Sequence, residues 1–298
     1  MKENNQQSVL VIGGSGFMGS HTADKLSDRG FAVTILDREP SPWLREDQQM
    51  VIGDTLDLKQ LNTVMQSKDI VYHFAGIADI GEATARPFET IQSNVMGTTS
   101  VLEAAVANRV KRFVYASTVY VYSPFGSFYR ASKQAAETII EAYAERYSIN
   151  YTLLRYGSLY GPRSQDWNGL RRWVSQAVLS SKIDYRGIGK ERREYIHAED
   201  AAQLSTKILD EKYENMAVTI TGTQVLTSCE LLSMIEEICG KKLDISYTEE
   251  YDSNYHYLTT PYRYTPKTAK KLIPEEFVDI GQGILDLVEE ISEQGNTE

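Results

Sequence analysis

The segment SVLVIGGSGFMGSHTADKLSDRG, residues 8–30, limits the folds open to this chain more than any other stretch. An apolar run ends in glycines, and a helical pattern begins at once and stops at Gly30. Gly13, Gly16 and Gly19 stand at GxxGxxG spacing around Phe17 and Met18, with Gly14 a further small residue. Glycine permits a tight turn and lets backbone come close to a pyrophosphate. The helix that follows aims its free N–H groups and positive dipole end at that anion. A glycine triplet alone is weak evidence; between a strand and a helix it has the context the motif requires. The next strand, FAVTILD, ends on Asp37, whose carboxylate would accept hydrogen bonds from adenosine ribose hydroxyls and repel a 2′-phosphate. That favours NAD over NADP, with Arg38 as the neighbour a 2′-phosphate would use.

The alternation continues. DIVYHFAG reads as a third strand, RFVYAST as a fourth, with SNVMGTTSVLEAAVANRV as the helix between them. YRASKQAAETIIEAYAERYS is a long helix and NYTLLRYGSLYG a further strand. Short apolar strands separated by helices predict parallel βαβ units and a Rossmann-type, doubly wound α/β sheet. The pattern loosens after Gly161-Pro162, with VTITG and LDISY as strands and SCELLSMIEEICGKK and DIGQGILDLVEEISEQ as helices. The expected organisation is a dinucleotide-binding domain over 1–162, rejoined by a stretch around 194–222, with 163–298 forming mainly a smaller C-terminal α/β substrate lobe.

A net charge of −10 argues against a general nucleic-acid or membrane-surface binder while leaving room for a local cationic pocket. Cys229 and Cys239 fall in one helical pattern, about 15 Å apart and so too far for a disulfide within it. Two free thiols suggest a reducing compartment. MKENNQQS lacks the apolar core of a signal peptide, and no apolar run reaches the length of a membrane span. A cytoplasmic protein is expected. The four histidines show no ligand spacing on one element, so no metal site is expected.

The segment TVYVYSPFGSFYRASK holds Thr118, then Tyr129, then Lys133 four residues later. At a helix start, that spacing puts the Tyr and Lys side chains on one face. A tyrosine with a pKa near 10 becomes a base at neutral pH only if its phenolate is stabilised by roughly 4 kcal/mol. A nearby ammonium and a positive nicotinamide ring can supply that stabilisation. Thr118 closes a strand at its C-terminal end, where open α/β sheets bind ligands.

With these residues the chain resembles the extended short-chain dehydrogenase/reductases, and within them the NAD-dependent epimerase/dehydratase group that acts on sugar nucleotides. The motifs are GGSGFMG, GDTLD at 53–57, HFAG at 73–76, NVMGT at 94–98, AST at 116–118, YRASK at 129–133, LRYGSLYGP at 154–162 and REYIHAEDAA at 193–202. The resemblance implies that Asp54 and Thr55 contact the adenine and that Phe74, Ala75 and Gly76 line the dinucleotide cleft. Asn94 would fix the region between the third and fourth strands, and Tyr156 would lie near the nicotinamide. Tyr129 would be the base, Lys133 would hold the nicotinamide ribose and lower the Tyr pKa, and Thr118 would bind the reacting oxygen. Arg193 would grip a substrate diphosphate, which suits the cluster Arg186, Lys190, Arg192 and Arg193, with Arg163 nearby in sequence.

Three departures from that family pattern narrow the expectation. Related 4,6-dehydratases place Asp-Glu directly after the catalytic Thr, and glucuronate decarboxylases keep a Glu at the second position; here the residues are Val119 and Tyr120. Dehydration and decarboxylation are therefore disfavoured. Ser158 stands where many relatives use Asn to touch the sugar nucleotide. The loop from 119 to 128 is about half the length usual in relatives, leaving a more open sugar site or one covered by the second lobe or another subunit. The expected activity is NAD-dependent oxidation of a nucleotide-diphosphate sugar at C4, completed as an epimerisation. Alternatives are a 4-dehydrogenase or ketoreductase without epimerisation, and a dinucleotide-binding regulator without turnover. A homodimer is expected through the helices containing 94–109 and 129–147. The apolar stripe Ala131, Ala135, Ile139 and Ala142 could serve that interface or face the sheet.

Overall fold

The computed structural model describes residues 6–248 and 256–263. Its frame is a seven-stranded sheet of order β10-β6-β5-β4-β1-β2-β3, with every pairing parallel. The strands are β1 (Ser8–Ile12), β2 (Ala32–Asp37), β3 (Gln49–Ile52), β4 (Ile70–His73), β5 (Arg112–Thr118), β6 (Asn150–Tyr156) and β10 (Met216–Ile220). The order reverses between β1 and β4, and the crevice outside the carboxyl ends of the strands at such a reversal is where ligands bind in this architecture. The fold is the Rossmann-type, doubly wound sheet that the sequence pattern predicts.

The continuous apolar strands follow from burial on both faces. Val9 and Val11 point into one core with Val33, Ile35, Tyr72, Val114 and Leu154, covered by α1 (Phe17–Asp28) and α8 (Ala198–Lys207). Leu10 and Ile12 point the other way, with Val71, Phe113, Tyr115 and Leu153. That face is covered by α2 (Leu58–Val64), α5 (Gly97–Ala107) and α6 (Ser127–Tyr147). α3 (Ile80–Ala85) and α4 (Pro87–Ile91) lead through a π-turn at Gln92–Met96 into α5.

Two readings of the strands change. β3 lies between the second strand and DIVYHFAG, so DIVYHFAG and RFVYAST hold β4 and β5 rather than the third and fourth strands. QMVI is a short edge strand exposed at both ends, and neither alternation nor a sustained apolar run marks it. NYTLLRYGSLYG is not one strand. It breaks at Gly157 into β6 and β7 (Ser158–Tyr160), and a Cβ at Gly157 would press on the Thr221 side chain.

β7 leaves the main sheet and pairs with β9 (Arg192–His197), which is joined on its other side by β11 (Val225–Thr227). A separate core gathers Trp173 and Ala177 of α7 (Gly169–Ser180), Ile183 and Tyr185 of β8 (Lys182–Arg186), and Leu231, Leu232 and Ile235 of α9 (Ser228–Cys239). β12 (Asp244–Thr248) pairs with β8. Cys229 and Cys239 are free, at opposite ends of α9. The closing helix expected over 279–294 lies outside the described residues. On α6 the buried residues are Ser132, Lys133, Ala136, Glu137 and Ile140, whereas Ala131 and Ala142 are exposed and Ala135 and Ile139 half-buried, with Ile139 packed against the core on the sheet face.

The turn after β1 depends on absent side chains. Gly13 has φ +81°, and a Cβ there would overlap the Ala75 backbone; one at Gly19 would overlap the Gly13 carbonyl. Gly13→Ala should therefore lower unfolding stability by about 2 kcal/mol or more, from left-handed strain plus overlap. Urea unfolding checks this, with Gly30→Ala as the comparison: Gly30 also has a positive φ, but a Cβ there meets nothing within 4 Å.

Candidate active site

The glycine turn, the first turn of α1 and the end of β4 press together at the sheet reversal. α1 starts after Gly16 with no side-chain cap and no acidic residue in its first turn. The donors of Phe17, Met18 and Gly19 are thus not neutralised by the chain's own carboxylates, a fit for a bound anion. Asp37 closes β2 at the mouth of the turn, its carboxylate accepting from Ser15 N at 2.9 Å and Arg38 N at 2.7 Å. The Arg38 side chain lies on an exposed residue. Phe74 stacks beside Tyr72 at 6.1 Å and Tyr156 at 6.5 Å, and the N–H groups of Phe74 and Ala75 both donate to the Ile12 carbonyl. Asp54 accepts from Leu56 N at 2.9 Å, and Thr55 is buried against Gly97.

Asn94 ties this half together. Its side-chain oxygen accepts from Ile77 N at 2.7 Å, and its amide donates to Ile77 O and Ser132 Oγ, both at 2.9 Å. Gly76, at φ +149°, leaves no room for a Cβ against that same oxygen. Tyr156 is a core residue, its hydroxyl 2.6 Å from Ser205 Oγ of α8.

Thr118 ends β5 and accepts from Tyr120 N at 3.2 Å as the chain turns into the short helix Val119–Tyr122. α6 brings Tyr129 and Lys133 over this strand end. Burial pushes the Tyr129 phenol up to about 12, while the nearby Thr118 hydroxyl pulls it back. Lys133 is buried, which pushes its amine down to about 8 against the opposing pull of Glu137. The amine donates to Ala116 O at 2.7 Å and lies 4.7 Å over the Tyr115 ring. It faces β5. Burial, with the Lys133 charge, pushes His73 down to about 3, so its imidazole is neutral; its Nε2 lies 3.0 Å from Thr98 Oγ1.

Behind the triplet runs a network that the motifs do not announce. Glu137, one turn beyond Lys133, accepts from Ser117 Oγ at 2.5 Å and from Arg155 of β6 through Nε at 3.0 Å and a second nitrogen at 2.6 Å. Arg155 also donates to the Tyr122 hydroxyl at 2.6 Å.

In front of the triplet lies a cluster of phenols. Tyr120 meets Tyr129 edge-on at 6.1 Å and Tyr257 at 4.6 Å between ring centroids, and its hydroxyl is 2.7 Å from His256 Nδ1. The Arg193 guanidinium sits 5.0 Å over the Tyr257 ring, and Ser158 Oγ is 3.4 Å from the Tyr257 hydroxyl. The structure therefore brings Thr118, Tyr120, Tyr129, Ser158 and Arg193 together. It places Arg163 elsewhere, paired with Asp24 of α1 at 2.8 Å and 4.9 Å over the Trp43 ring. Tyr257 and His256 belong to a tyrosine-rich stretch whose spacing does not separate site residues from packing. Among the described residues no group of three or more His, Cys, Asp or Glu could hold a metal ion, and no helix is long and apolar enough to cross a membrane.

A glycine turn at the sheet reversal next to a Thr, Tyr and Lys set is the arrangement of the short-chain dehydrogenase type. Residues 9–220 match the model of the NAD-dependent epimerase/dehydratase family, and the chain belongs to that family. It is 29% identical over 242 residues to a UDP-N-acetyl-α-D-glucosaminuronate decarboxylase of Bacillus cytotoxicus, covering 72% of this chain and 75% of that one. It is 26% identical over 294 residues to a UDP-glucose 4-epimerase of Rhizobium leguminosarum, covering 85% and 88%. The crystal structure of UDP-glucose 4-epimerase from Thermotoga maritima, solved with UDP-glucose, has the same fold: TM-score 0.80 at 23% identity, over 87% of this chain and 90% of that one.

The depressed Lys133 pKa carries a sign that can be checked. Between about 8 and the ordinary lysine value the unfolded chain binds more protons at this site than the folded one, so stability rises with pH across that interval. Relative to Lys133→Met, the wild-type chain without cofactor should gain roughly 2–3 kcal/mol between pH 8 and 10, read by urea unfolding.

Proposed function

We propose that this protein is an NAD-dependent sugar-nucleotide epimerase that acts at C4 of the hexose through a 4-keto intermediate. The observation that carries the reading is Tyr129 brought near Thr118 at the carboxyl end of β5, with Lys133 one turn along α6, beside the glycine cradle. Gly13, Gly16, Phe17, Met18, Gly19 and Asp37 hold the dinucleotide, with Asp54 and Thr55 toward its adenine. NAD supplies the hydride acceptor and a positive ring that favours the phenolate. Thr118 orients the sugar hydroxyl and Tyr129 removes its proton, while Lys133 holds the nicotinamide ribose. Arg193 grips the diphosphate: among the described residues its guanidinium is surrounded by phenols and pairs with no carboxylate. Residues from 163 onward form most of the lobe that receives the sugar nucleotide.

Val119 and Tyr120 argue against dehydration and decarboxylation, because both are buried and neither supplies a carboxylate beside Thr118. The exposed apolar side chains Phe88, Ile91 and Met96, on the segment leading into α5, together with the exposed Ala131 and Ala142 of α6, support a homodimer through these helices. Two free thiols suit the cytoplasm.

Proton NMR of UDP, GDP, dTDP and CDP hexoses incubated with protein and NAD tests the reading. The expected result is one sugar whose C4 proton persists with inverted coupling. Tyr129→Phe should still bind NAD while turning over about a hundredfold or more slower. Loss of the C4 proton would make the protein a dehydrogenase, and loss of C6 as CO2 from a UDP-hexuronate added to the panel would make it a decarboxylase. NAD binding with no change in any sugar would leave a dinucleotide-binding regulator.

A further inference from the structure

The features in which this chain departs from its family meet at one residue. Tyr120 stands beside the catalytic Thr where relatives carry acids, Ser158 stands where they use Asn, and the loop between Thr118 and Tyr129 is short. Tyr257 touches the first two directly: its ring packs 4.6 Å from that of Tyr120 and its hydroxyl lies 3.4 Å from Ser158 Oγ. It also packs with Phe125 of the short loop in a cluster that includes Tyr129.

Tyr257 is fixed rather than draped. The stretch 256–263 runs along β9, the strand that carries Arg193: Arg192 N donates to Leu258 O at 2.8 Å, Arg192 bridges to Thr259, and Glu194 N donates to Thr260 Oγ1 at 3.3 Å. This register leaves Tyr257 only 3% exposed, between the Arg193 guanidinium and the Tyr120 ring that abuts Tyr129. His256 fixes Tyr120 from the same stretch, 2.7 Å from its hydroxyl.

Phenylalanine would fill this space without bringing a hydroxyl into it. A contact at 3.4 Å is long for two hydroxyls, so neither the Tyr257 nor the Ser158 group is saturated and both keep bonding capacity for a ligand. The phenol therefore extends the short reach of Ser158 into the space between Arg193 and Tyr129.

We propose that Tyr257 is a substrate-binding residue that, with Ser158, orients the sugar nucleotide between the diphosphate grip and the catalytic tyrosine, in place of contacts the short loop does not make. This rests on the sugar-nucleotide reading above.

Tyr257→Phe keeps the ring contacts and removes the hydroxyl alone. The KM for the sugar nucleotide that the wild type converts should rise about tenfold, with kcat within about twofold, as expected when a ligand hydrogen bond is lost. NAD affinity and Tm should not change. Ser158→Ala should raise KM similarly, and the double variant should be no worse than about the worse single one, because the two hydroxyls act as a unit. A wild type that turns over sugar nucleotide while Tyr257→Phe leaves KM within about twofold overturns this inference and spares the reading beneath it. So does a Tyr257→Phe that weakens NAD binding and sugar binding alike, which marks a structural role. A wild type that binds none of the sugar nucleotides, by calorimetry with NAD present, overturns both.

Discussion

The candidate site hangs from a buried ion pair behind it. Glu137 and Arg155 face each other with side chains 4% and 11% exposed, and the arginine engages both carboxylate oxygens. Charges so far from water are costly unless well paired; losing one partner typically costs 3–5 kcal/mol. Here the spare capacity is used, by Ser117 on the carboxylate and by Tyr122 on the guanidinium. The pair thereby joins α6, β5, β6 and the turn after β5 at one point. Thr118 is the neighbour of Ser117, and Lys133 lies one helical turn before Glu137. The relative placement of Thr118 and Lys133 is thus braced through their neighbours Ser117 and Glu137.

The front of the site has a different electrostatic character. Phenols and a guanidinium line it, and burial raises the phenols at positions 120, 129 and 195. Neutral tyrosines around Arg193 leave its charge available to an anion arriving from solution. Lys133, its amine lowered by burial to about 8, remains mostly charged at neutral pH, and a nearby negative charge would raise it further. Both halves therefore favour a ligand that carries anionic groups, as a dinucleotide and a nucleotide sugar both do.

Most of the fold and half of the site were legible in the sequence, and the division has a physical basis. The glycine turn, Asp37, and the Thr118, Tyr129 and Lys133 set lie within short windows where spacing fixes relative position. Asn94 was legible as a brace, because it binds a loop and a helix at a conserved type of junction in the fold. β3 escaped notice because an edge strand need not be apolar, and the break at Gly157 because β6 and β7 read as one run. Arg163 was misplaced because nearness in sequence to other arginines says nothing of direction: its guanidinium turns back to Asp24. Tyr257 lies more than a hundred residues from the end of β5 that it faces, in a fourteen-residue stretch that holds five tyrosines. Only the pairing of 256–263 with β9 singles it out.

That pairing has a consequence for how the molecule comes into being. During synthesis the cradle and the catalytic triplet emerge early, the edge strand β10 that completes the sheet comes later, and Tyr257 comes last of all. At about 5–20 residues per second, the interval between Thr118 and Tyr257 leaving the ribosome is on the order of ten seconds. A nascent chain thus has a nearly finished cofactor domain before it has a front wall, so cofactor capture can precede, and stabilise the frame for, the arrival of the substrate-facing segment.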